Sequence, residues 1–314
     1  MDSEIGVVDN VGKKRRSNLT RDENDFKIKR ESSADKDIAS FLSSKEATCG
    51  DDENEPEVGD DDGHAIHGFH LVEGKMNHGM EDYIVARNQK MNGFDLGLYA
   101  IFDGHSGRFV AEYLQKHLFD KILSDPEFWT DPKSTMKRVY KQMNEEILAN
   151  VVGSYGGSTA VTAILVNGKR LIVGNVGDSR AIICRKGVAE AITVDHDPER
   201  EKGMVERRGG FVLKTADNIS RVDGQLAMAR AFGDERVKDH ISVEPDVVFV
   251  KVDNDTEFMI LASDGLWKVM SNEEAADCIK DIGDPGEAAK ELISSALSRR
   301  SCDDISCVVV RFIH

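Results

Sequence analysis

No apolar run in the 314 residues approaches about 18, which leaves nothing to form a membrane-spanning helix. The opening stretch, MDSEIGVVDNVGKKRR, has no apolar core segment, so no secretory signal is expected. Positive charge is in deficit. Lys and Arg number 41 against 57 Asp and Glu, for a formal net charge of −16. Such a chain is repelled by nucleic acid and by anionic membrane, and neither is expected as a partner. The five cysteines, at 49, 184, 278, 302 and 307, carry no paired zinc spacing; Cys302 and Cys307 form a C-x4-C that no second pair completes. A small, odd count fits free thiols in a reducing compartment, and the cytoplasm or nucleus is the expected location. There is no internal repeat, no multi-histidine cluster and no lysine at P-loop spacing.

What is present falls into two textures. Residues 1–66 are charged and almost without aromatics, too poor in apolar surface to offset the entropy of ordering, and a disordered tail is expected there. Basic clusters at 13–16 (KKRR) and 27–30 (KIKR) read either as nuclear-import signals or as solvated charge runs. The acidic run 50–63 reads as a plain tether. From 67 onward, short β-branched runs alternate with amphipathic stretches. Strands are expected at 83–87, 96–102, 160–166, 170–176, 180–186, 246–252, 257–262 and 306–312. The Asn-Gly in VNGKRL, 166–171, marks a hairpin. Helices are expected at 107–122, with Val110, Leu114, His117 and Leu118 on one face, and at 132–150, 198–208, 272–281 and 286–299. Hairpins follow one another without a helix after each strand. That predicts an α+β fold with mainly antiparallel sheets and helices packed outside them, rather than a doubly wound parallel sheet.

Acids recur where these strands meet solvent. Asp103 ends LYAIF, Asp178 follows LIVGNV, Asp264 ends FMILAS, Asp303 and Asp304 precede ISCVVV, and Glu81-Asp82 precede YIVAR. Singly, each is an ordinary turn residue, because Asp and Gly favour turns. Together they suggest convergence. Carboxylates gathered at one place repel unless cations neutralise them, and hard divalent ions such as Mg2+ or Mn2+ prefer oxygen ligands. His105, two residues beyond Asp103, reads either as a proton-transfer group or as a histidine that simply opens a helix. Ser106 lacks the G-x-S-x-G surround of a nucleophilic serine. GGSTAV, 156–161, reads as a tight turn ahead of a core strand. RRGGFV, 207–212, reads as a glycine-capped helix end.

MEDY, IFDGHSG, GGSTAV, VGNVGDSRA, RVDGQLAMARAFGD, ISVEPDV, ILASDGLWKVMSNEE and DDISCVVV occur in that order. In this ordered set, which spans 67–314, the chain resembles the metal-dependent type-2C protein Ser/Thr phosphatases, most closely their plant members. The resemblance implies a central sandwich of two antiparallel sheets flanked by helices, a four-layer αββα arrangement, in a catalytic domain over 67–314. It implies two Mg2+ or Mn2+ ions and possible use of a third, weaker site. Asp103 matches the bridging metal carboxylate, Gly104 a backbone-carbonyl ligand, and Asp264 and Asp303 the remaining direct ligands. Glu81 and Asp82 match acids that hold metal-bound waters. Asp178, with Asp264, matches the third site, and His105 matches the general acid. Phosphorylated proteins are the implied substrates, and a monomer is expected.

Two positions depart from that pattern. Asn77 stands four residues before Glu81, where the family usually carries a phosphate-gripping arginine, and an amide cannot supply a cationic fork. If this segment is a strand, Lys75 shares a face with Asn77, so Lys75 or His78 would compensate in part. Lys268 replaces what is often an acid and is expected to be a surface change. A mobile, substrate-choosing flap would fall at about 211–235 by the same resemblance. Beside the phosphatase stand two alternatives: a catalytically weak phosphoprotein-binding pseudophosphatase, and a metal-dependent hydrolase of small phosphoesters.

Overall fold

The computed structural model describes residues 64–151, 155–216 and 218–314. Of the disordered tail expected over 1–66, residues 1–63, with its basic clusters and acidic tether, lie outside the described residues, and 64–66 are strand. Fifteen strands and six α-helices lie among those described. The strands are β1 (His64–Val72), β2 (Tyr83–Met91), β3 (Phe94–Phe102), β4 (Gly104–His105), β5 (Gly157–Ser158), β6 (Ala160–Val166), β7 (Arg170–Val176) and β8 (Arg180–Arg185). They continue with β9 (Val188–Ala191), β10 (Val212–Lys214), β11 (Ser220–Val222), β12 (Phe232–Gly233), β13 (Asp246–Lys251), β14 (Thr256–Ala262) and β15 (Ile305–Ile313). The helices are α1 (Phe109–Ser124), α2 (Pro132–Asn150), α3 (Lys202–Arg207), α4 (Asp264–Trp267), α5 (Asn272–Ile279) and α6 (Pro285–Ser298). None is long and apolar enough to cross a membrane.

Two five-stranded antiparallel sheets, ordered β13-β7-β6-β3-β2 and β1-β15-β14-β8-β9, form the centre. Alternation along each strand decides the layers, because successive side chains of a strand point to opposite faces. Tyr99 and Ile101 of β3 join Met259 and Leu261 of β14 and Val308 and Val310 of β15 in a core between the sheets. The intervening Leu98, Ala100 and Phe102 face α1 and α2. Phe258, Ile260, Cys307 and Val309 face α4, α5 and α6. Three apolar cores thus separate four layers, helix, sheet, sheet, helix, as the resemblance implies.

The β6–β7 hairpin turns at Asn167 (φ 49°) and Gly168 (φ 64°), the paired left-handed geometry that an Asn-Gly turn supplies. Helix α2 matches its expected span, starting on Asp131, whose carboxylate accepts from the Ser134 N–H, with Pro132 in the first turn. Helix α3 is shorter than expected. Its glycine cap is present: the Gly209 and Gly210 N–H groups donate to the Glu206 and Val205 carbonyls. His117 is not on the buried face of α1; it is exposed and lies 4.5 Å, centroid to centroid, from Tyr113.

Strand β1 was not expected from the sequence. His67, Gly68 and His70 break up its apolar pattern, and the strand is made by pairing with β15, from His64↔Ile313 to Val72↔Ile305. A domain boundary at 66/67 would cut through it, so the ordered sheet begins by His64. The region expected to be a flap carries the β10–β11 hairpin. Val205, Val222, Met228, Ala229, Ala231, Val237 and Ile241 form a small core of its own, with Met204 packed against it. The four cysteines among the described residues are free.

Candidate active site

Antiparallel pairing brings the strand-end acids to one end of the sandwich. Asp103 leaves β3 where β2 begins, since Phe102 pairs with Tyr83. Asp178 leaves β7 where β6 begins, since Val176 pairs with Ala160. Asp264 leaves β14 where β15 begins, since Ala262 pairs with Cys307. The two sheets meet there through a hydrogen bond: Ser306 Oγ donates to Asp82 Oδ2 at 2.7 Å. Thr159 ties the end of β3 to the turn between β7 and β8. Its Oγ1 accepts from the Asp103 N–H at 3.2 Å and lies 2.8 Å from Ser179 Oγ.

Proximity shows in the protonation of these acids. Burial raises the Asp103 carboxyl well above its ordinary value, and the charges of Asp82, Asp264, Asp178 and Asp303 add to the rise. Burial pushes Asp82 up to about 7 against hydrogen bonds from Ser306 and Ser263, with the charges of Asp304 and Asp264 raising it further. Asp178 is likewise pushed up to about 7 by burial and by Asp264. Asp264 is raised by burial, with Lys268 opposing. Carboxyls that resist ionisation for want of counter-charge form a donor set suited to hard cations. Asp178 Oδ1, buried without a hydrogen-bond partner, is a further unsatisfied oxygen of this set. The residues therefore fit divalent ions in kind. Among the described residues, however, no group of three or more His, Cys, Asp or Glu closes into a ready cage.

Lys268 is exposed, as expected of a surface change, but its ammonium reaches back to the acids. Its Nζ lies 2.6 Å from Asp264 Oδ2 and 2.9 Å from Asp303 Oδ2. It bridges two of the expected metal ligands.

His105 belongs to a three-stranded ribbon, β12-β5-β4, in which it pairs with Gly157. Its Nε2 lies 2.9 Å from both carboxylate oxygens of Asp234, which follows β12 at φ 48°. Gly157 has to lack a side chain, because a Cβ there would meet Asp234 Oδ2 at 2.2 Å. Burial alone would lower the His105 pKa. The Asp234 hydrogen bond and charge, joined by Asp178 and Glu81, overcome it and hold the imidazole above its usual 6.5. Asp234 was not singled out from the sequence, although it closes the block RVDGQLAMARAFGD.

Asp304, one of the strand-end acids but given no role by the resemblance, is a buried clamp. It accepts from the Gly74 and Glu81 N–H groups, each at 2.7 Å. Glu81 Oε1 in turn accepts from the Gly107 N–H at 2.8 Å. The clamped segment, 73–82, is turn and coil rather than strand, so the shared strand face expected for Lys75 and Asn77 does not exist. Lys75, Asn77 and His78 are all exposed. The Lys75 N–H donates to the Cys302 carbonyl at 2.8 Å, beside Asp303, and His78 Nδ1 lies 3.8 Å from Glu81 Oε2.

Residues 71–305 match the family model described as protein phosphatase 2C. The chain belongs to the protein phosphatase 2C family. Its members are phosphoprotein hydrolases, and metal dependence is a general feature among them. Similar plant proteins include "Probable protein phosphatase 2C 28" of Arabidopsis thaliana, 60% identical over 79% of this chain and 73% of its own length. "Probable protein phosphatase 2C 62" of Oryza sativa subsp. japonica is 53% identical over 79% of this chain and 87% of its own. Among solved structures, the serine-threonine phosphatase 2C from Toxoplasma gondii superposes with a TM-score of 0.71 at 26% identity. That match covers 79% of this chain and 94% of the other.

Proposed function

We propose that this phosphatase 2C chain hydrolyses phosphoserine and phosphothreonine in proteins with water activated at a centre of two Mg2+ or Mn2+ ions. Acids delivered from both sheets to one end of the sandwich, beside the His105–Asp234 pair, carry the proposal. Asp103, the Gly104 carbonyl, Asp264 and Asp303 would hold the ions directly, Glu81 and Asp82 through water, and Asp178 with Asp264 would form a third, weaker site. Bound there, the ions would lower the pKa of water and offset negative charge on the phosphoryl group. Asp82, kept in place by Ser306, and Glu81, kept in place by the Gly107 and Asp304 contacts, orient the water-holding side of the site. His105 donates a proton to the departing seryl or threonyl oxygen, and Asp234 keeps the imidazole protonated and oriented for that transfer.

Asn77 favours a second reading, a phosphoprotein-binding protein with little turnover, because no arginine stands at that position. Hydrolysis of a phosphothreonine peptide by the full chain separates the two. Turnover that requires Mg2+ or Mn2+, stops with EDTA and is lost in Asp103→Asn supports the two-ion hydrolase. Asn77→Arg should then lower KM for the peptide. No turnover in folded, metal-loaded protein gives the second reading instead, and preference for small phosphoesters over the peptide would name a different substrate class.

A further inference from the structure

The one-turn helix α4 carries Asp264 at its start and Lys268 just past its end, where the Lys268 N–H donates to the Asp264 carbonyl at 2.8 Å. Residues four apart on a helical turn lie on the same side, so the lysine stem folds back over the aspartate. Two buried hydrogen bonds tie this turn to the segment that carries Asp303, and a third, from Trp267, braces it on the end of β14. Ser301 Oγ donates to the Gly265 carbonyl at 2.7 Å, Trp267 Nε1 to the Ala262 carbonyl at 2.9 Å, and the Ser306 N–H to Ser263 Oγ at 3.0 Å. The ammonium is thereby positioned between Asp264 and Asp303 by a fixed frame.

We propose that Lys268 is a tethered cation built into the metal site, one that competes with a divalent ion for the Asp264–Asp303 carboxylate pair and so weakens the hold of the site on that ion. The inference rests on the two-ion reading above. Nζ approaches the Oδ2 atom of each aspartate. A small divalent ion takes carboxylate oxygens at about 2.0–2.6 Å, and two cations on the same pair of oxygens repel. Ion binding there requires the ammonium to withdraw. The lysine is built for that movement: its side chain is 57% exposed on a flexible four-carbon stem, so the frame that places it does not enclose it. An acid or neutral residue at this position would present no such competitor.

Calorimetric titration of the metal-stripped full chain with Mn2+ tests this. Lys268→Gln should lower the dissociation constant about tenfold, the lower end of what changes around metal ligands usually produce. Lys268→Arg, which keeps the charge, and Lys280→Gln, which removes an exposed lysine paired with Asp277, should stay near wild type. Melting gives a second readout. Lys268→Gln should lower the Tm of the metal-free protein and enlarge the rise that Mn2+ produces. A Lys268→Gln protein that folds only with Mn2+ also supports the competition. An unchanged dissociation constant, an equal gain in Lys268→Arg or Lys280→Gln, or a Lys268→Gln protein folded under neither condition overturns it. Wild-type protein that binds no Mn2+ sinks the two-ion reading and this inference together, whereas Mn2+ binding indifferent to Lys268 sinks only this one.

Discussion

His105 and Asp234 illustrate how a single contact tunes a site. The carboxylate, facing Nε2 through both oxygens at 2.9 Å, holds the imidazole above 6.5 despite burial. A general acid has to be protonated, so activity falls as pH rises through its pKa. Asp234→Asn removes the charge that raises this pKa. The alkaline limb of kcat/KM for the phosphopeptide should therefore move to lower pH, and the maximal rate should fall because the ring loses its orientation. A profile unmoved by the substitution would mean that His105 is not the titrating acid. Asp234 closes a motif block, but its partner lies 129 residues earlier in the chain. Residue type and motif position do not say which side chain a carboxylate will meet, so this part of the site was illegible before the fold.

At the level of elements, the most legible strands are the most buried ones. β6 and β7 have the bounds expected from their β-branched runs, and their side chains are buried almost throughout. Leu98, fully buried between β3 and the helices α1 and α2, should cost about 2–5 kcal/mol when cut to Ala. Val188→Ala, at an exposed position on β9, should change stability by less than about 0.5 kcal/mol. Urea unfolding of the two variants checks both, and similar losses would contradict the layer assignment. β1 was illegible for a different reason. Its backbone is extended because β15 offers a ladder, and histidine and glycine in its sequence carry no strong strand preference.

The whole molecule carries an electrostatic load at one end. Asp82 and Asp178 shift from 3.8 to about 7. Between those values the folded chain keeps protons that the unfolded chain has released, so stability falls as pH rises. His105 acts in the same sense: its contribution is present below 6.5 and is lost as pH passes through its higher folded value. Asp246, held down to about 2 by the His196 hydrogen bond and by Arg230, matters only below about pH 4. In EDTA, the urea midpoint should therefore be higher at pH 5 than at pH 8. Added Mn2+ should flatten or reverse that trend, because a cation favours the ionised carboxylates. A midpoint that climbs from pH 5 to 8 without metal would show that these acids are not buried together.

By itself the sequence determined the alternating runs that build two sheets, the Asn-Gly hairpin, most helix spans, and the placing of an acid at each of several strand ends. These are local properties, written in the two-residue and 3.6-residue periods of strands and helices and in turn chemistry. Only the tertiary structure decided that Asp82 meets Ser306, that Asp304 clamps Glu81, that Asp234 meets His105, and that Lys268 lies between Asp264 and Asp303. The physical reason is the same for the three long-range pairs and for Lys268 with Asp303. Sheet register and helix docking choose such partners, by burying apolar faces at long sequence separation, and the polar groups carried along are brought together as a consequence.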